Sequence, residues 1–157
     1  MHVAVVDAAA TRPLRLAVLR PTWPADARMP GDDRPGAVHL AALDGDEVVG
    51  AGLVLAAPYP ERPAVEAAWQ LRGMATAPSR RSQGIGGLVL DAAVALVADR
   101  GGRLLWCGAR LPAVAFYERH GFTTEGDEYV QPETGLPHVH MWRGPATTVG
   151  GSGKVSG

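Results

Sequence analysis

Three glycines and two arginines stand directly before a long helical pattern, in the stretch RRSQGIGG from Arg80 to Gly87. The first N–H groups of a helix have no partner inside it, and the helix dipole places roughly half a positive charge at that end. Glycines let a ligand approach the backbone closely, and the arginines add charge. The stretch therefore predicts a site where backbone N–H groups bind an anion.

The spacing of these residues separates three kinds of anion-binding loop. A nucleoside triphosphatase loop ends in Gly-Lys-Ser or Gly-Lys-Thr, whereas Leu88 follows the glycines here. A dinucleotide fingerprint needs a third glycine where this chain has Val89. Such a fingerprint also follows its strand directly, whereas PSRRSQ separates this loop from the strand before it. Arg81, Gly84 and Gly86 instead meet the pattern Arg-x-x-Gly-x-Gly, which resembles the pyrophosphate loop of acetyl-coenzyme A enzymes.

Further stretches match the same kind of enzyme in the same order. They are LRGMATAPSRRSQGIGGLVLDAA, LLWCGARLPAVAFYERHGF and GLPHVHM, and with RLAVLRP and HLAALDGDEVVGAGL they cover most of the chain up to Arg143. The chain resembles the GNAT superfamily of N-acetyltransferases, most closely the bacterial branch with a terminal G-x-P-H-x-x-M strand. The resemblance implies an α/β fold with a mixed, mostly antiparallel central sheet, parallel and splayed fourth and fifth strands, and flanking helices.

The resemblance also implies acetyl-coenzyme A as cosubstrate and assigns residues to its binding. The fourth strand would supply free backbone N–H groups, and Gly73 suits a bulge that opens a gap for the pantetheine arm. The expected coenzyme-binding residues lie on this strand (Met74, Ala75, Thr76), in the loop (Arg81, Ser82, Gln83, Gly84, Ile85, Gly86, Gly87) and after the fifth strand (Ala109, Ala113, Phe116).

The implied reaction transfers an acetyl group to an amine by direct attack. An alkyl amine with a pKa of about 10.4 is mostly protonated at neutral pH, so a base must remove a proton before attack. Tyr117 in FYERHGF matches the family tyrosine that faces the coenzyme sulfur. Its phenol would give a proton to the leaving thiolate.

Several residues are candidates for the base. Glu133, His138 and His140 come from the last hairpin, and the resemblance to the G-L-P-H branch favours His138 as a site residue. Glu66 and Gln70 are alternatives, as is a water molecule held by backbone carbonyls. His138 and His140 share one face of a strand, but no third metal ligand is evident, so no metal site is predicted.

The fifth strand departs from the family pattern. Many relatives have an asparagine where this chain has Gly108, so a side-chain contact to the coenzyme is lost or replaced by water. Cys107 precedes it on a strand that we expect to be buried, where a thiol is usually inert. Direct transfer needs no cysteine nucleophile.

The acceptor side is expected in the proline-rich segment 21–36 and in the turn QPETGLP. Trp23 and the prolines would form an apolar, rigid wall. Asp26, Asp32 and Asp33 would attract a cationic amine, although for any one of them a solvated acidic loop is the more common arrangement.

The remaining patterns describe the elements that must position these residues. HVAVVD predicts a short strand, and Thr11 is expected to cap the helix that follows. Asp44-Gly45 predicts a hairpin turn between two apolar runs. We predict one mixed α/β domain, residues 1–144, followed by a flexible tail, 145–157.

Composition limits the remaining classes. The 157 residues are 46% hydrophobic and 20% charged with a net charge of -1, which favours a globular domain over a nucleic-acid binder. A single cysteine excludes an intramolecular disulfide. The chain shows no membrane-length apolar run and no signal-peptide pattern, so we expect a cytoplasmic protein without a membrane partner. The family often dimerises, so a homodimer is a candidate assembly.

Three functions are open on these grounds. The first is an acetyl-coenzyme A-dependent N-acetyltransferase that acts on the primary amine of a small molecule or peptide. The second is a non-catalytic module that binds or senses acyl-coenzyme A, which the missing asparagine motivates. The third is a nucleotide-binding domain of another class, argued only from the helix N-terminus.

Overall fold

The computed structural model describes residues 1–29 and 31–145, and the backbone of 149–150 and 153–154. The strands are β1 (His2–Val6), β2 (Val38–Asp44), β3 (Glu47–Ala56), β4 (Ala68–Thr76), β5 (Leu104–Arg110), β6 (Thr123–Gln131), β7 (Leu136–Arg143), β8 (Val149–Gly150) and β9 (Gly153–Lys154). The helices are α1 (Ala8–Leu19), α2 (Ile85–Asp99) and α3 (Val114–Arg119), and 3₁₀ turns span Pro78–Arg80 and Leu111–Ala113. Within the described residues, no helix is both long and apolar enough to cross a membrane.

Seven strands form one mixed sheet in the order β1-β2-β3-β4-β5-β7-β6. β4 and β5 are parallel, and α2 provides the crossover that a parallel pair needs. β1–β2, β2–β3, β5–β7 and β6–β7 are antiparallel, and the predicted Asp44-Gly45 turn joins β2 to β3. The predicted mixed α/β fold is therefore confirmed, while the splay between β4 and β5 stays a prediction.

Contacts divide the chain into two compact units, whose boundaries fall at the end of β3, within β4 and within α2. Unit 1 comprises Met1–Ala56 and Gln70–Ala93, and unit 2 comprises Ala57–Trp69 and Val94–Gly157. The extent of the single domain, 1–144, stays a prediction. Most of the predicted flexible tail, 145–157, lies outside the described residues; β8 and β9 pair with each other inside it.

In unit 1, α1 packs on β2 and β3. The helix begins earlier than predicted, because Asp7 rather than Thr11 is its N-cap: the Asp7 carboxylate accepts the Ala10 N–H at 3.0 Å. Thr11 is buried inside the helix, where its hydroxyl accepts a hydrogen bond from Arg15 Nε at 3.0 Å. Aspartate and threonine are both good caps, so the local pattern did not distinguish them.

Two glycines on β3 let neighbouring elements come close in unit 1. An added Cβ at Gly50 would lie 2.5 Å from Ile85 Cγ2, and one at Gly52 would lie 2.8 Å from Met74 Sδ. Both distances are too short for a carbon atom, so a side chain at either position would displace its neighbour. Ile85 and Val89, which are 1% and 0% exposed, seat the first turn of α2 against β3 and thereby fix the start of the helix.

In unit 2, β7 lies between β5 and β6. The register places Gly108 of β5 opposite His140 of β7. The β6–β7 pairing shifts between Glu125 and Tyr129, which is the mark of a bulge. The bulge changes the course of β6 beside the two histidines of β7.

Candidate functional site

The predicted anion-binding loop lies in unit 1, between β4 and α2. The turn Pro78–Arg80 leads into residues 81–84, which are all exposed, and α2 follows. The first intrahelical hydrogen bond runs from the Leu88 N–H to the Gly84 carbonyl at 3.1 Å. The backbone N–H groups of 84–87 therefore have no partner within the helix, which is what an anion site at a helix N-terminus requires.

The space beside this loop is open. Gly84 has a φ of +79°, and an added Cβ there would meet nothing within 4 Å. Ser82 also has a positive φ, 66°, which is uncommon for a residue with a side chain. The first turn of α2 contains no acidic residue, so nothing in it repels an anion. A phosphate therefore has both room and a favourable field at this end of α2.

The two arginines of the loop have different surroundings. Arg80 pairs with Asp44 at 2.7 Å and with Glu47 at 3.5 Å, at the β2–β3 hairpin. The hydrogen bond to Asp44 raises the pKa of Arg80, and Arg80 in turn lowers the pKa of Asp44. Arg80 is thus engaged with the hairpin, and the exposed Arg81 is the arginine left for a ligand.

The β4 residues predicted to contact the coenzyme end that strand in unit 1. Ala75 is 7% exposed, whereas Met74 and Thr76 are half-buried. Gly73 precedes them with a φ of +65°, so the strand is irregular where the sequence predicted it. An added Cβ at Gly73 would lie 3.2 Å from Arg15 Cδ, so the glycine also makes room for an arginine of α1.

The predicted acid, Tyr117, lies on α3 in unit 2. Its side chain is 8% exposed and packs edge-to-face against Phe116 and Phe122, with ring centroids 5.2 and 5.5 Å away. Burial raises the pKa of the phenol, so Tyr117 holds its proton at neutral pH. Ala109 is buried near the end of β5, and Ala113 and Phe116 are half-buried in the segment that follows.

Cys107 and its neighbour Gly108 on β5 lie in different surroundings. Cys107 is 2% exposed, and burial raises the pKa of its thiol to about 12, so the reactive thiolate is scarce at neutral pH. At Gly108, an added Cβ would overlap with the hydroxyl of Tyr129 on β6. The space beside Gly108 therefore holds a tyrosine from another strand, which the sequence did not reveal.

The two residues predicted as catalytic on the last hairpin differ in environment. His138 is 7% exposed, its Nδ1 lies 2.9 Å from the Leu136 carbonyl oxygen, and its ring centroid lies 5.9 Å from that of Tyr129. Because a carbonyl oxygen only accepts, Nδ1 carries the proton of the neutral ring. Glu133 is exposed between β6 and β7, where it accepts a hydrogen bond from Gln131.

His140 on β7 pairs with a residue that the sequence did not single out. Its Nδ1 lies 2.8 Å from Glu61 Oε2, and the two side chains are 15% and 30% exposed. Glu61 belongs to PYPERP, which the sequence marked only as a break in the chain. The two residues are 79 positions apart, and no local spacing pattern links residues at that separation.

Aromatic rings surround His140 in unit 2. The ring centroids of Tyr59, Trp106 and Tyr129 lie 5.8, 5.6 and 4.8 Å from that of the imidazole. Tyr59 is 0% exposed and stacks on Trp106 at 5.3 Å, and the Trp106 indole N–H donates to the Ala57 carbonyl at 3.0 Å. These rings hold the imidazole in a rigid and largely apolar setting.

One aspartate of the loop after α1 is not solvated. The Asp32 carboxylate is 0% exposed and bonds to Arg15 at 2.8 Å and Arg12 at 2.9 Å. Burial alone would raise the pKa of Asp32, but hydrogen bonds and charge from the two arginines outweigh it and lower the pKa. Asp32 anchors the loop to α1, so the expectation of a solvated or amine-attracting side chain is wrong for it. Asp26 and Asp33 are exposed.

An open cavity of about 500 Å³ in unit 2 contains Glu66, one of the alternative bases. Its lining residues are Arg62, Ala64, Val65, Glu66, Arg103, Leu104 and Trp142. Arg62 lies over the Trp142 ring at 4.2 Å and pairs with Glu125 at 2.9 Å. Gln70, the other alternative, is half-buried on β4 in unit 1. Among the described residues, no group of three or more His, Cys, Asp or Glu is placed to hold a metal ion.

Known proteins resemble the chain in sequence. A profile of the acetyltransferase (GNAT) family matches residues 9–122. The uncharacterised N-acetyltransferase YjcF of Bacillus subtilis strain 168 is 28% identical over 105 residues, 67% of this chain and 69% of that protein. The uncharacterised N-acetyltransferase YitI of the same strain is 27% identical over 145 residues, 91% of this chain and 95% of that protein.

A solved structure resembles the chain in fold. It is that of an aminoglycoside 6'-N-acetyltransferase complexed with coenzyme A, with a TM-score of 0.70 at 20% identity over 92% of this chain and 97% of that protein. At this identity the likeness shows the fold. The family profile spans well over half of the chain and includes the anion-binding loop, β5 and Tyr117. The chain therefore belongs to the acetyltransferase (GNAT) family and is an acetyl-coenzyme A-dependent N-acetyltransferase.

Proposed function

We propose that the protein transfers the acetyl group of acetyl-coenzyme A to the primary amine of a small molecule by direct attack. The loop 81–87 carries this proposal, because it combines N–H groups that lack helical partners with an open glycine. The pyrophosphate of the coenzyme is the anion that this loop would bind. Arg81 would add a charge-assisted hydrogen bond to a phosphate oxygen.

The other predicted coenzyme contacts remain part of the proposal. Met74, Ala75 and Thr76 would offer backbone groups to the pantetheine arm, which lies along a strand as an extended chain in this scheme. Ala109, Ala113 and Phe116 would add apolar contacts. The irregular conformation at Gly73 supports a β4 that does not pair regularly over its whole length.

The proposed chemistry is a single acyl transfer. The amine nitrogen attacks the thioester carbonyl carbon, and the C–S bond then breaks. A backbone N–H of β4 would donate to the carbonyl oxygen as negative charge develops there. The Tyr117 phenol, which burial keeps protonated, would give its proton to the departing thiolate. The proton lost by the amine goes to a base, for which His138 and Glu133 are the candidates named by the sequence.

The acceptor that we propose is a cationic small-molecule amine. The solved structure described above belongs to an aminoglycoside acetyltransferase, and aminoglycosides carry several ammonium groups. In the loop after α1, Asp26 is exposed, and Trp23 is half-buried with the Arg20 guanidinium 5.4 Å from its ring centroid. Asp33 is also exposed but already pairs with Arg28 at 2.7 Å. Exposed carboxylates raise the local concentration of a cation, and an indole face contacts its apolar parts.

Thermal unfolding with acetyl-coenzyme A, coenzyme A, ATP or NAD in excess tests the binding half of this proposal. A ligand at a hundred times its dissociation constant adds about 2.7 kcal/mol, so both coenzyme A forms should raise the midpoint by roughly 5–10 °C. Gly84→Glu should abolish the rise, because it places a carboxylate at the pyrophosphate position. A rise only with ATP or NAD would contradict the proposal.

Thiol release in the presence of kanamycin, spermidine or a lysine peptide tests the chemical half. Tyr117→Phe should keep the thermal shift and lower turnover, whereas Gly84→Glu should lose both. A wild-type protein that binds the coenzyme but releases no thiol with any amine would be a binding module instead. Turnover with the lysine peptide alone would move the acceptor class from small molecules to peptides.

A further inference from the structure

We propose that His140, held in place by Glu61, is the general base that removes the proton from the acceptor amine. The assignment rests on the proposed acetyl transfer to an amine, in which the group that accepts the proton is still to be assigned. It concerns residues of unit 2 only. Glu61 acts through His140 and is therefore a positioning residue.

The chemistry of the two partners determines which nitrogen of His140 carries the proton. A carboxylate only accepts hydrogen bonds, so His140 Nδ1, which lies 2.8 Å from Glu61 Oε2, carries the ring proton and donates it to that oxygen. The neutral ring then presents Nε2 as its free basic nitrogen. When Nε2 takes up a proton, the negative charge of Glu61 stabilises the imidazolium that forms, and no rearrangement of the pair is needed.

The surrounding chain makes room for this carboxylate. Gly126 on β6 has a φ of +80°, and an added Cβ there would lie 2.5–2.7 Å from the two oxygens and the carboxyl carbon of Glu61. The bulge between Glu125 and Tyr129 includes this glycine. The carboxylate therefore occupies a place that a glycine and a bulge leave free, which is unlike a chance surface pair.

The burial of the pair suits a proton acceptor. At 15% and 30% exposure, the two side chains are shielded from bulk water yet still reachable by a substrate. The ring centroid of Tyr129 lies 4.8 Å from that of the imidazole, and those of Tyr59 and Trp106 lie 5.8 and 5.6 Å from it. A ring fixed in this way has one orientation, so its basic nitrogen has a defined direction.

The position of His140 along β5 also fits the reaction. His140 lies opposite Gly108, while Tyr117 lies close enough to Cys107 for the thiol to contribute to its raised pKa. Consecutive residues of a strand face opposite sides of the sheet. The acid and the base therefore sit at one level of β5 but on opposite faces. The amine likewise bonds to the carbonyl carbon from one direction, and the thiolate departs from it in another.

The other candidates lack these features. His138 Nδ1 bonds to a neutral backbone carbonyl, so no negative charge supports its protonated form. Glu133 is exposed at the hairpin turn. The ionisable groups around His140 are Glu61 and Tyr59 from the segment before β4, Glu125 and Tyr129 from β6, and His138 on its own strand. Of these, Glu125 is neutralised by Arg62 at 2.9 Å.

The test compares four variants by thiol release from acetyl-coenzyme A, with the best amine of the screen and with water alone as acceptor. His140→Gln should lower kcat/KM by about 10²–10⁴-fold and leave the coenzyme-induced thermal shift intact. The fall should appear in kcat, with KM for acetyl-coenzyme A unchanged, a split that a distorted coenzyme site would not produce. His2→Gln, at an exposed position of β1, is the histidine control and should match the wild type.

Glu61→Gln and His138→Gln complete the design. Glu61→Gln keeps an oxygen that accepts from Nδ1 but removes the negative charge beside the ring, so kcat should fall while KM for acetyl-coenzyme A and the thermal shift stay. Turnover within two-fold of wild type in His140→Gln, or a larger loss of kcat in His138→Gln than in His140→Gln, would overturn the base assignment alone. A wild type that binds the coenzyme yet releases no thiol with amines or water would overturn the proposed function, and the base with it.

Discussion

Two carboxylates in this protein make equally short bonds to a basic side chain, in very different surroundings. Asp32 Oδ1 accepts from Arg15 at 2.8 Å in unit 1, and Glu61 Oε2 lies 2.8 Å from His140 Nδ1 in unit 2. Asp32 and Arg15 are 0% and 1% exposed, whereas Glu61 and His140 are 30% and 15% exposed. Distance alone therefore does not distinguish what the two pairs do.

The difference lies in what each partner does with its proton. An arginine keeps its charge at every accessible pH, so the bonds of Asp32 are permanently ionic and fasten the loop to α1. A histidine exchanges a proton near neutral pH, and the partial exposure of His140 leaves it open to a substrate. A buried pair with a permanent cation serves structure, while a half-buried pair with a titratable partner suits proton transfer.

Removal of Asp32 should have the largest effect on stability. Asp32→Ala leaves Arg15 buried without its carboxylate, and breaking a buried pair in this way costs about 3–5 kcal/mol. Urea denaturation measures the free energy of unfolding. A loss below about 1 kcal/mol would show that this pair is no more structural than an exposed one.

Asp33→Ala is the matched control for that experiment. Asp33 is the next residue and pairs with Arg28 at 2.7 Å, but the two side chains are 70% and 66% exposed. Exposed pairs contribute little, so the free energy of unfolding should change by no more than about 0.5 kcal/mol. Equal losses at the two positions would remove burial as the feature that separates them.

In unit 2, Gly108→Ala should lower the free energy of unfolding by an intermediate amount. The added methyl group overlaps with the Tyr129 hydroxyl, and such overpacking costs about 1–3 kcal/mol. Tyr129→Phe removes the hydroxyl, so the double variant should recover most of the loss in urea denaturation. Additive losses in the double variant would mean that Gly108 is needed for another reason.

The sequence revealed those parts of the site that are local. The loop 81–87 and the helix after it follow from a short pattern, since a glycine turn and a helix start are set by adjacent residues. Glu61 and Asp32 could not be assigned in this way, because their partners lie 79 and 17 residues away. Gly108 looked like a lost contact because Tyr129, which fills its space, comes from another strand.

The fold was predictable to a similar degree. The Asp44-Gly45 hairpin follows from turn chemistry, and the parallel β4–β5 pair follows from a strand, helix and strand in succession. The start of α1 was misplaced, because Asp7 and Thr11 are both good caps and packing decides between them.

A further effect, confined to the pH dependence of stability, is expected at His39, which is a titratable group inside the buried network of unit 1. His39 is 4% exposed, and its ring nitrogens have no hydrogen-bond partner of good geometry among the described residues. Burial and then the charge of Arg15 lower its pKa, while Asp32 opposes them and Arg12 adds a smaller lowering. As the pH falls through 6.5, the unfolded chain takes up a proton that folded His39 does not, so stability is lost from there downward.

His39→Gln should remove this component of the pH dependence. The wild-type free energy of unfolding should fall between about pH 7 and pH 5 with a contribution from His39 no steeper than about 1.4 kcal/mol per pH unit, and the variant should show a flatter slope. His2→Gln, which is exposed, should keep the wild-type slope. An unchanged slope in His39→Gln would mean that folded His39 already accepts the proton. The buried network would then tolerate a titrating group, and burial would no longer separate it from the Glu61–His140 pair.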